Sequence, residues 1–78
     1  MKAKELTEQE LLIEVLLIFR LLKAEDDFDY IFNKSNPLNI NQRKTLEKIY
    51  DQCIYPVNEN LDYAKTIINK NITSVIID

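Results

Sequence analysis

Carboxylates are the first groups in this chain whose spacing could do chemistry: Glu25-Asp26-Asp27-Phe28-Asp29 sets four acids within five residues. Acids at that density can serve as general acid/base pairs or hold hard cations. A calcium loop, however, needs alternating oxygen ligands, a glycine at its sharp turn and a late bidentate glutamate. This stretch has no glycine and runs into Tyr30-Ile31-Phe32. It therefore reads as helix capping with a solvated acidic surface, or as an acidic patch that docks a basic partner.

The remaining inventory removes most catalytic constellations. The chain has no histidine, so neither a Ser-His-Asp nor a Cys-His nucleophile pair can form, and the single Cys53 cannot build a structural zinc site alone. Ser35 and Ser74 are the only serines, and neither sits in a nucleophile-elbow pattern. With no glycine there is no phosphate-cradling loop and no dinucleotide fingerprint. The inventory argues against an enzyme and implies no metal and no cofactor. Arg43, Lys44 and Lys48 could contact phosphates from one side of a helix, but Glu47 and Asp51 interleave with them at ion-pair spacing, which favours a solvated face.

The elements that position these groups are helical. Thr7-Glu8-Gln9-Glu10 is a capping box, and the spacing predicts a helix over about 7–24. Its run Leu11 to Leu22 is too short to span a bilayer, which takes about 20 apolar residues. At 100° per residue Leu11, Leu12, Val15, Ile18, Phe19 and Leu22 form a broad core face, while Ile13, Leu17 and Leu21 form a second, narrower stripe. Either the rest of the chain covers that stripe, or it remains free for self-association or a target.

A second helix is expected over about 27–34, capped by Asp27, with Phe28, Ile31 and Phe32 packing on the first. The turn Asn33 to Pro37 separates it from a third over about 40–55, capped at Asn39 or Asn41. Leu46, Ile49, Tyr50, Cys53 and Ile54 line one core face there, and Pro56 stops the helix. Asn58 should cap a fourth helix over about 58–70, with Leu61, Ala64, Ile67 and Ile68 inward. Residues 71–78 are rich in β-branched side chains and read as an extended or β-like tail; the helix continuing, the tail lying on the bundle, or its pairing with another strand all remain open.

The fold class expected is a small all-α bundle of three to four helices, one domain across 1–78. At 78 residues such a chain buries only about 60–65% of its unfolded surface. The stability margin is thin, and a second copy, forming a homodimer through Ile13, Leu17 and Leu21, is one source of help. No signal peptide is evident, and one unpaired cysteine fits the reducing cytoplasm. The net charge of −3 and pI near 4.9 disfavour nucleic acid as the main partner.

Two short stretches resemble the small acidic immunity proteins that neutralise nuclease colicins: Thr7-Glu8-Gln9-Glu10-Leu11 is similar to the start of their first helix, and Asp51 with Ile54-Tyr55-Pro56 resembles their toxin-contacting tyrosine-proline segment. The family's glycine-bearing turn, second tyrosine and C-terminal tryptophan have no counterpart here. The resemblance implies Asp51 and Tyr55 as partner contacts. Together these readings point to a small acidic module that occludes a basic surface of another protein, as an inhibitor or immunity-type protein of a mobile element does. Its contacts would be Glu25, Asp26, Asp27, Asp29, Tyr30, Asp51 and Tyr55. The alternatives are a helical DNA-binding regulator using the 40–55 helix and a structural subunit of a larger assembly.

Overall fold

Helix α1, Glu8–Leu21, begins as its sequence dictates. The computed structural model describes residues 3–34, 37–54 and 59–77, without side chains at 34, 73, 74, 76 and 77. In it the Glu10 N–H donates to the Thr7 hydroxyl at 3.1 Å, and the Thr7 N–H donates to the Glu10 carboxylate at 3.0 Å. This reciprocal box satisfies two backbone donors that the helix itself cannot.

The helix stops at Leu21, short of the expected Ala24, because Lys23 turns left-handed at φ 58°. Two hydrogen bonds wrap the end: the Lys23 N–H to the Arg20 carbonyl at 3.1 Å and the Ala24 N–H to the Phe19 carbonyl at 2.8 Å. This is the Schellman arrangement, in which glycine normally takes the left-handed place. The chain has no glycine, and a lysine takes that place.

Helix α2, Glu25–Lys34, follows at once. The Phe28 N–H donates to the Ala24 carbonyl at 3.2 Å, so the residue that closes α1 also opens α2. The expected cap, Asp27, instead lies inside the first turn with Glu25 and Asp26. All three carboxylates sit at the positive end of the helix dipole.

Helix α3, Ile40–Cys53, starts from an Asn39–Gln42 box with bonds of 2.8 and 2.9 Å. It closes at Ile54, whose N–H donates to the Tyr50 carbonyl at 3.0 Å. The expected turn residues Ser35 and Asn36, the contact residue Tyr55, the stop at Pro56 and the Asn58 cap lie outside the described residues.

Helix α4, Leu61–Ile77, is capped at its start by Asn60: the Tyr63 N–H donates to the Asn60 side-chain oxygen at 3.0 Å. Its backbone stays helical past Lys70 to Ile77, through the segment for which an extended or β-like tail was expected. The reason is visible in the spacing. Ala64, Ile68 and Val75 are buried and Ile72 is packed on the core, at intervals that prolong one helical face. Packing of that face outweighs the modest helix penalty of β-branched residues. Asp78 and the side chains of Thr73, Ser74, Ile76 and Ile77 lie outside the described residues.

Helix α1 packs on α2 and α3, and α4 closes the ring against the other sides of both. The result is a small all-α bundle of four helices, with no strand among the described residues. The whole broad face of α1 is inside: Leu11, Val15 and Phe19 are fully buried, with Leu12, Ile18 and Leu22 nearly so. They meet Ile31 of α2, Leu46, Ile49 and Cys53 of α3, and Val75 of α4 in one cluster. The radius of gyration, 11.1 Å, is that of a compact chain of this length, about 11.5 Å.

A single 3-10 turn at Ala3–Glu5 precedes α1 and docks on α3. The Ala3 N–H donates to the Asp51 carboxylate at 3.2 Å, and the Arg43 guanidinium donates to the Leu6 carbonyl at 2.7 Å and the Ala3 carbonyl at 3.4 Å. A carboxylate thus meets the amide end of the turn and a cation its carbonyl end. Ala3 and Leu6 are buried as a consequence.

Candidate protein-binding face

In a ring of four helices each helix has two close neighbours, and its outer side faces solvent unless something else covers it. On α1 that outer side carries the narrow stripe. Ile13, Leu17 and Leu21 are 50%, 47% and 57% exposed, so the rest of the described chain does not cover them. They succeed one another at i, i+4 and i+8 and make a continuous apolar line.

Beside Ile13 the line runs into a groove of about 140 Å³ between α1 and α2, lined by Gln9, Leu12, Ile13, Leu16, Phe28 and Phe32. Its far wall is held by a relay of rings. Phe28 stands edge-on to the buried Phe19 with centroids 5.8 Å apart, and Phe32 stacks on Phe28 at 6.3 Å. Phe32, expected as a core residue, is instead 41% exposed: it is positioned by the core without being covered by it. Its i+4 spacing from Phe28 was the signal for that stacking.

The acidic residues distribute around this face unevenly. Glu10 and Glu14 border the stripe on one side of α1. On α2, Glu25 and Asp29 stand two turns and one turn before Phe32 on the same side of the helix, while Asp26 and Tyr30 point outward. All of these α2 residues are exposed. Asp27 lies elsewhere, lining a polar cavity of about 270 Å³ with Leu22, Lys23, Ala24, Lys65, Ile68 and Asn69. Asp51, on α3, is occupied by the Ala3 N–H. Among the described residues, Asp27 and Asp51 thus stand apart from the other acids and Tyr30 of α2. Among the described residues no three acidic or thiol side chains come together to hold a metal ion.

Glu10 and Cys53 are displaced from their ordinary behaviour. The Glu10 carboxyl is pulled down, first by the Thr7 backbone N–H and then by the Thr7 hydroxyl. Burial pushes the Cys53 thiol up to about 11. That thiol is fully enclosed and points at the Ala64 carbonyl, 3.8 Å away, at the α3–α4 contact. It packs as a small hydrophobe and is not available as a nucleophile.

The basic side of α3 is also partly committed. Besides its bonds to the N-terminal turn, Arg43 pairs with Glu47 at 3.2 Å. Sequence periodicity could not reveal this role, since its partners lie about 40 residues away in the chain. No described helix is long and apolar enough to cross a membrane. No known protein-family model, characterised protein or solved structure matches the chain.

Proposed function

We propose that this protein is a helical binding module that acts by covering a surface of another protein, with the outer side of α1 and the α1–α2 groove as its contact face. The observation that carries the reading is the line Ile13, Leu17 and Leu21, about half exposed along its whole length and continuous with an apolar groove. Large aliphatic side chains in such a line, on a chain with little core to spare, are characteristic of interaction sites. Glu10 and Glu14 along one border of the stripe, with Arg20 and Lys23 along the other, add orientation and partner choice. Occlusion of a partner's functional surface is the form of activity that needs nothing more than such a face, and an inhibitor of the immunity type belongs to that form.

The DNA-binding alternative has weaker support, because Arg43 is engaged with the N-terminal turn and Glu47. The test is selection of displayed protein fragments on the folded chain, with Leu17→Lys as the counter-target. Binders should be enriched on the wild type and lost on Leu17→Lys. Binders indifferent to that substitution, or salt-sensitive retention on duplex DNA abolished by Lys44→Ala and Lys48→Ala, would overturn the proposal.

A further inference from the structure

We draw no further inference here: the strongest candidate, the polar cavity of about 270 Å³ where the α1–α2 junction meets α4, is lined by exposed charges of both signs on Lys23, Asp27 and Lys65, and nothing in the structure shows what ligand it would hold.

Discussion

Lys23 holds a left-handed backbone, φ 58°, that costs a residue with a Cβ about 1 kcal/mol. Lys23→Gly removes that cost and adds back some unfolded-state entropy, so urea denaturation should show a net gain of about 0.5 kcal/mol. A β-branched replacement such as Lys23→Val should lose at least about 1 kcal/mol. Nothing in the sequence marks this position, because a glycine-free chain withholds the usual sign of a helix end. Cys53 makes the second prediction at this scale. Its thiol is raised to about 11 by burial, so the thiolate is favoured in the unfolded chain. The stabilising effect is complete below the ordinary thiol value and is lost as pH rises through about 11. A chromogenic disulfide reagent near pH 8 should accordingly label Cys53 only as fast as the chain opens. Rapid stoichiometric labelling of the folded protein would contradict the packing described. Glu10 works in the opposite sense: its lowered carboxyl stabilises the α1 cap above the ordinary glutamate value, and that contribution is lost as pH falls through the folded value.

Local signals in the sequence served the elements unequally. The α1 start was legible because Thr7–Glu10 is a reciprocal box with its partners three residues apart, whereas at α3 the choice between Asn39 and Asn41 is decided by the Asn39–Gln42 box in the fold. The broad face of α1 was legible from its period alone. The last two turns of α4 were not, since their β-branched residues read as a strand until the packing of Ile72 and Val75 is seen. Val75→Ala removes two fully buried methyl groups and should cost roughly 2 kcal/mol in chemical denaturation. A shift indistinguishable from zero would return this segment to the status of a loose tail. The N-terminal turn was equally invisible, being tied to α3 by Arg43 and Asp51 from far along the chain. Arg43→Ala should cost about 1 kcal/mol, discounted for partial exposure. Amide exchange should quicken at Leu6, whose N–H bonds the Ala3 carbonyl, while the α3–α4 core stays protected.

At the scale of the whole molecule, a chain of 78 residues leaves three aliphatic residues of its most apolar helix half exposed. The sequence posed the choice between covering and exposing that stripe but could not decide it, because the answer depends on how the other helices are arranged around α1. With α2 and α3 as its close neighbours and α4 across the ring, the outer side of α1 is left over. The exposed line Ile13, Leu17 and Leu21 was legible from periodicity, whereas the surroundings of Asp27, which lines a separate cavity, and of Asp51, which accepts from the Ala3 N–H, were not. The most direct test of this central claim is the equilibrium denaturation midpoint of the triple variant Ile13→Gln, Leu17→Gln, Leu21→Gln. If the stripe lies outside the core, the folding free energy should stay within about 1 kcal/mol of the wild type at every protein concentration. A loss of about 3 kcal/mol or more, or a midpoint that depends on concentration in the wild type alone, would contradict a free face awaiting a different partner.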